Sequence, residues 1–209
     1  MNLVTILVTR SKACHVKTLH TILRLNIKCL QKSINNEITY VDDDSFKKAE
    51  IIQQYAKTHD RIFFIDFGIS ADDESIDKVL GDLDGFGVLV FPGVKEGVDW
   101  NLFKSKVRSD CKEPIAQMGL HFDTEVGNKI SDNIHVVTST EAKCWVMNTK
   151  NLIKNIKDKK GNWKIYPKMF EKFKEQGVKI YAFTAAKLTM TYPHECISNI
   201  LNAAGVKTN

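Results

Sequence analysis

Arg61-Ile62-Phe63-Phe64-Ile65-Asp66-Phe67-Gly68 is the stretch whose reading decides the fold. Ile62 to Ile65 are all β-branched or aromatic and leave no polar face, so the run predicts a strand buried on both sides, as in a parallel α/β sheet. It stops at Asp66 and leads on to Asp72, Asp73 and Glu74, while an earlier run, Glu37-Ile38-Thr39-Tyr40-Val41, stops at Asp42, Asp43 and Asp44. Ligands of open α/β sheets sit beyond the carboxyl ends of the strands, so the repeated pattern puts carboxylates where a bound molecule would be. There a carboxylate can accept a ribose hydroxyl or hold a hard divalent cation against a phosphate. Aspartate also caps helices and starts turns, and Asp44 and Asp72 can equally be read as N-caps. Asp66 is harder to assign to a cap, and Gly68 two positions on is expected to let a ligand approach the backbone.

Outward from these runs the chain alternates. Leu3 to Val8 reads as a strand, Val16, Leu19, Ile22, Leu23 and Ile27 fall at helical spacing, and Glu37 to Val41 is the second strand. Phe46, Ala49, Ile52 and Ala56 give a helix, Arg61 to Ile65 the third strand, Ile76, Val79 and Leu80 a helix, and Gly87 to Phe91 a fourth strand. This β-α-β-α-β-α-β order predicts right-handed crossovers and a mostly parallel mixed sheet flanked by helices, an α/β, Rossmann-like fold class. Beyond it a helix is expected over Val98 to Val107 behind an Asp99 N-cap, and no clear period runs from Cys111 to Asn133. Strands are then predicted at Ala142 to Met147 and Val178 to Phe183, with helices at Asn151 to Ile156, Met169 to Phe173 and around Cys196 to Ala204.

At 209 residues and 43% hydrophobic the chain can bury one good core. One domain over 1–209 is expected, with 1–95 as the nucleotide-binding half and 96–209 as the acceptor-side half. No apolar run reaches the length of a membrane span, and the start lacks the charged n-region of a signal peptide. Five scattered cysteines without a Cys-x-x-Cys pair fit reduced thiols better than disulfides or a zinc site, so a soluble cytoplasmic protein is expected. The net charge of +5 owes much to Lys150, Lys154, Lys157, Lys159, Lys160, Lys164 and Lys168. Such a run reads first as a solvated helix face, and without interleaved surface aromatics it does not argue for a nucleic-acid partner. The Ala203-Ala204-Gly205 ending suits a whole protein or one domain of a longer polypeptide.

A P-loop, the dinucleotide fingerprint, G-x-S-x-G and H-E-x-x-H are all absent. A nucleotide-binding sheet without a glycine-rich phosphate loop needs another way to neutralise a diphosphate, and that returns the reading to the carboxylates. Leu3 to Arg10, Tyr40-Val41-Asp42-Asp43-Asp44 and Phe63-Phe64-Ile65-Asp66-Phe67-Gly68 follow an order that resembles a GT-A-type nucleotide-sugar glycosyltransferase. The resemblance is closest to the small glycosyltransferase domains encoded by large DNA viruses of algae. Phe91-Pro92-Gly93-Val94-Lys95-Glu96-Gly97-Val98-Asp99-Trp100 and Met118-Gly119-Leu120-His121-Phe122-Asp123 support it.

The resemblance implies a hexosyltransferase that moves a glucose- or rhamnose-type sugar from a UDP-sugar to a glycan acceptor, with Mn²⁺, or Mg²⁺ in its place. Retention of configuration is expected because no residue stands out as the general base that inversion requires, and for a viral protein the resemblance implies a place in the host cytoplasm. Thr9 and Arg10 would border the nucleotide, and Asp42, Asp43 or Asp44 would meet the uridine. Asp66, between Ile65 and Phe67, would take the first position of the family's Asp-x-Asp metal motif. Gly68 stands where the second acid is expected, so Asp66 needs another ligand, for which His194 is the candidate by chain order and His121 the next. Asp123 and Glu125 are the catalytic or acceptor-binding carboxylates. Lys95, Lys187 and Arg10 are candidates for pairing with phosphate. Trp100, Trp145 and Trp163 read as packing residues rather than sugar platforms. A non-catalytic nucleotide or nucleotide-sugar binding module is the alternative.

Overall fold

A computed structural model describes residues 1–109, 111–112, 115, 118–153 and 164–191. The first half follows the expected alternation: β1 (Asn2–Thr9), α1 (Val16–Gln31), β2 (Asn35–Asp42), α2 (Ser45–Tyr55), β3 (Arg61–Ile65), β4 (Ile69–Ala71), α3 (Asp73–Leu80) and β5 (Val88–Val90). After α4 (Trp100–Arg108) come β6 (Thr124–Ser131), β7 (Ile134–Thr140), β8 (Cys144–Asn148), α5 (Thr149–Ile153), α6 (Met169–Glu175), β9 (Ile180–Phe183) and β10 (Leu188–Met190). The helix expected around Cys196 to Ala204 lies outside the described residues, as do Trp163, His194 and Lys154, Lys157, Lys159 and Lys160.

Among the described residues, eight strands form one sheet in the order β2-β1-β3-β8-β5-β9-β7-β6. The pairings β1–β2, β1–β3 and β5–β9 are parallel, and those of β8 with β3 and β5 and of β7 with β9 and β6 are antiparallel. Six of the eight strands therefore point one way, with β7 and β8 reversed, which is the α/β, mostly parallel mixed sheet that the alternation predicts. β8, from late in the chain, sits between β3 and β5, so strands from both sequence halves share the sheet.

The alternating side chains of β1 divide the core. Val4, Ile6 and Val8 meet Ala49 and Ile52 of α2, Leu152 of α5 and Phe173 of α6 on one face. Leu3 and Leu7 meet Ile22, Leu25 and Cys29 of α1 and Ile76 and Val79 of α3 on the other. Ile62 and Phe64 of β3 join the first cluster and Phe63 and Ile65 the second. That is why the run carries no polar position.

Two expectations need correction. The stretch without a period contains β6, which pairs with β7 through a two-residue turn at Asp132-Asn133, Asn133 having φ +60°. β6 gives no alternation because its residues after Thr124 are exposed. Trp100 is a core residue in neither half: it is 43% exposed on α4, a helix that buries no residue, and its ring meets Phe103 edge-on at 5.9 Å. Trp145, by contrast, is fully buried and stacked on Phe64, with ring centroids 4.9 Å apart and planes 4° from parallel.

Candidate functional site

The parallel strands β1, β2 and β3 end side by side, Thr9 opposite Asp42 and Leu7 opposite Ile65. The residues that follow close an ion chain across these ends. Arg10 Nε donates to Asp43 Oδ2 at 2.8 Å, Lys48 Nζ meets Asp43 Oδ1 at 2.5 Å, and the same ammonium stands 3.8 Å from Asp66 Oδ2. The Arg10 guanidinium lies 5.2 Å above the Phe67 ring, whose edge is met by His15. Burial pushes the Asp43 carboxyl up, but hydrogen bonds and charge from Lys48 and Arg10 outweigh it and hold the group below its ordinary value.

Lys48 reaches this position because Asp44 starts α2. The Asp44 carboxylate accepts from Phe46 N at 3.0 Å and Lys47 N at 2.8 Å, and Lys48 N donates to the Asp44 carbonyl. Asp44 is thus the N-cap that one reading of the sequence allowed. Asp42 pairs with Lys47 at 2.6 Å, a hydrogen bond that lowers its carboxyl.

Asp66 is only 6% exposed at the mouth of a cleft of about 300 Å³. Lys48, Ile52, Glu141, Lys143, Tyr166 and Lys168 line it, with the buried rings of Phe64 and Trp145 as its apolar base. An apolar base under a charged rim is the usual make-up of a small-molecule site. The segment before β8 ties Asp66 to a second buried acid. Asp66 N donates to the Lys143 carbonyl at 2.9 Å, and the Lys143 backbone N–H donates to the Asp123 carboxylate.

Asp123 is likewise 6% exposed. Burial pushes its carboxyl up, although the Gly93 N–H at 3.1 Å, the Thr124 hydroxyl at 2.8 Å and the Lys143 N–H all favour the ionised form. A smaller cavity of about 170 Å³ lies over it, lined by Val94, Lys95, Glu96, Glu141 and Lys143. Lys95 and Glu141 pair across this cavity at 2.8 Å. Glu141 and Lys143 therefore line both cavities, one with Asp66 and the other with Asp123. Between the two acids the Cys144 thiol is pushed well above its ordinary value by burial and then by the charges of Asp123 and Asp66.

The other sequence-derived candidates are more dispersed. Thr9 and Asp42 line a separate, more open depression of about 330 Å³ with Tyr40, Lys47 and Gln54. Ile65 is buried in the core below the site. Glu125 is exposed on β6. Lys187 lies on the far side, its backbone N–H 3.4 Å from the carboxylate of Asp72, the α3 N-cap. His121 pairs with Asp99, itself the N-cap of α4. Gly68 is explained by the chain itself: it has φ +79°, and a Cβ there would stand 2.6 Å from the carbonyl oxygen of Thr191, which the antiparallel β4–β10 pair brings beside it.

A divalent cation wants about six oxygen ligands. Asp66 Oδ1 accepts from Phe67 N at 2.7 Å, which leaves Oδ2 turned toward Lys48. Among the described residues no group of three His, Cys, Asp or Glu side chains is arranged to hold a metal. These residues fit Mn²⁺ or Mg²⁺ only through one carboxylate, with the remaining oxygens coming from ligand and water.

Sequence reasoning missed Lys48, Glu141, Lys143 and Tyr166. The i+4 step from the Asp44 N-cap was the available signal for Lys48, because it places that side chain one turn above the strand ends. Glu141 and Lys143 gave no comparable signal.

No helix among the described residues is long and apolar enough to cross a membrane. No protein-family model and no curated protein sequence matches the chain. Among the solved structures that resemble it are two at low identity. One is S. aureus TarS 1–349, 13% identical with a TM-score of 0.46, over 97% of this chain and 64% of that one. The other is the inositol-1-phosphate CTP transferase from T. maritima, 13% identical with a TM-score of 0.41, over 98% of this chain and 79% of that one. The chain thus spans less than two thirds of the TarS fragment.

Proposed function

We propose that the chain is a transferase that moves a hexose from a UDP-sugar to a glycan acceptor, with the donor diphosphate at Asp66 and Lys48. The observation that carries this reading is the ion chain Arg10–Asp43–Lys48–Asp66 across the ends of three parallel strands, beside a cleft with an apolar base. Ends of parallel strands are where α/β sheets take nucleotides, and alternating charges there can re-pair with a diphosphate without leaving a buried charge alone.

Thr9, Arg10 and Asp42 to Asp44 border the nucleoside, Asp42 being more open than Asp43. When a divalent cation accompanies the donor, Asp66 Oδ2 would hold it, and the cation would neutralise charge on the diphosphate. Lys48 and Lys143 face the group on which negative charge grows as the glycosidic bond breaks, and such prepositioned charge lowers the barrier. Asp123 accepts a sugar hydroxyl in the smaller cavity, while Lys95 and Glu141 orient the acceptor above it. The reading includes retention of configuration, and the engagement of Asp123 supports it: its oxygens serve Gly93, Thr124 and Lys143, which leaves it poorly placed as the free base that inversion requires.

The test is a panel of UDP-, GDP- and TDP-sugars assayed for hydrolysis and transfer with Mn²⁺, Mg²⁺ and chelator. Turnover of a UDP-sugar above the others supports the reading, and no turnover of any donor refutes it. The single carboxylate offered to a metal also favours a second reading, a binding module for the same nucleotide-sugars. UDP binding by calorimetry without turnover would select it.

A further inference from the structure

We infer that Lys48 is a phosphate-binding residue of this site, held ready by Asp43 and Asp66; the inference deepens the UDP-sugar reading and rests on it for the identity of the ligand. The ammonium of a lysine has three donors. One is used at 2.5 Å on Asp43 Oδ1, whereas Asp66 Oδ2 at 3.8 Å is within ion-pair reach but beyond a hydrogen bond. Lys48 is also a wall of the cleft, and its side chain is only 20% exposed. It therefore presents unspent donors to an enclosed space, next to two carboxylates that fix its position.

The rest of the lining supplies further cations. Lys143 and Lys168 line the same cleft, beside the carboxylates of Glu141 and Glu171, so a phosphate held by Lys48 would have other lysines within the cleft to pair with. Asp43 does not lose its partner when Lys48 turns, because Arg10 remains bonded to its other oxygen. Asp66 acts on the ligand through Lys48, as a positioning residue, whether or not it also holds a cation.

Calorimetry with inorganic pyrophosphate, UDP and uridine, all in chelator, tests this on the parent chain and on Lys48→Gln, Lys48→Met and Lys48→Arg. Two neutral variants are included so that one remains if the other does not fold; Gln can still donate to Asp43. The parent should bind pyrophosphate and UDP, and both neutral variants should lose about tenfold or more of that affinity. Lys48→Arg should retain most of it, and uridine binding should be the same in all four proteins. The inference is overturned if the parent does not bind pyrophosphate, if neutral variants bind it as the parent does, or if they lose uridine and UDP equally. Pyrophosphate binding that depends on Lys48, with UDP no tighter than pyrophosphate and uridine not bound, would keep the phosphate site and sink the UDP-sugar reading.

Discussion

Replacing Asp66 with Asn separates its structural role from its chemical one. Its Oδ1 accepts the Phe67 N–H, a bond that the amide oxygen of Asn can keep, and its backbone N–H stays on the Lys143 carbonyl. What is lost is the charge facing Lys48 at 3.8 Å. At an effective dielectric of about 20 that attraction is about 4 kcal/mol, most of it already offset by desolvation of the pair. Lys48 also keeps Asp43. The net cost to stability should then be about 1 kcal/mol, or a drop of about 2–4 °C in Tm for a chain of this size. Turnover of the UDP-sugar should fall by about 10²- to 10³-fold, the usual result of removing one prepositioned electrostatic partner. The assay is UDP release at saturating donor, beside a melting curve. A folded Asp66→Asn protein with turnover within a few fold of the parent would reduce Asp66 to a turn residue and move the site toward Asp123.

Gly68→Ala should cost about 2–3 kcal/mol: about 1–2 for a left-handed alanine and about 1 for disturbing the bond from Thr191 N to the Gly68 carbonyl. Urea denaturation should show a lower midpoint at unchanged slope, and a cost under about 0.5 kcal/mol would refute the close approach. Trp145→Ala removes a fully buried ring stacked on Phe64 and should cost about 3–5 kcal/mol by the same assay; a near-neutral result would mean that the ring is not part of the core. Asp123 has a folded pKa raised by burial, so the native state holds its proton longer than the unfolded one, and its contribution to stability declines as pH rises between the two values. Asp123→Asn lacks that proton, so the stability difference between variant and parent should shift toward the variant as pH rises through the acid range, as measured by urea titration at several pH values. A difference independent of pH would show that Asp123 is not desolvated.

The first half of the fold was readable because burial imposes its period locally. Ile62 to Ile65 face helices on both sides of the sheet and can hold no polar residue, and the helices α1 and α2 bury Ile22, Leu25, Ala49 and Ile52 at helical spacing. The acids after β2 and β3 were readable for the same reason, because a strand end is a local event. β6 was not, since an exposed hairpin strand has no buried face to write a pattern, and only the Asp132-Asn133 turn marked it. Gly68 was misread: its spacing from Asp66 suggested room for a ligand, whereas the neighbour that forbids a side chain is Thr191, brought in by a strand pairing more than a hundred residues away. The sequence alone determined that carboxylates would stand at the ends of parallel strands. Tertiary structure alone decided which cation meets them, because Lys48 comes from the helix packed over β2 and Lys143 from the segment that leads into the antiparallel strand inserted between β3 and β5. Such contacts depend on how distant segments pack: the i+4 step from Asp44 places Lys48 one turn up its helix but does not name the acids it meets, and nothing along the chain marks Lys143.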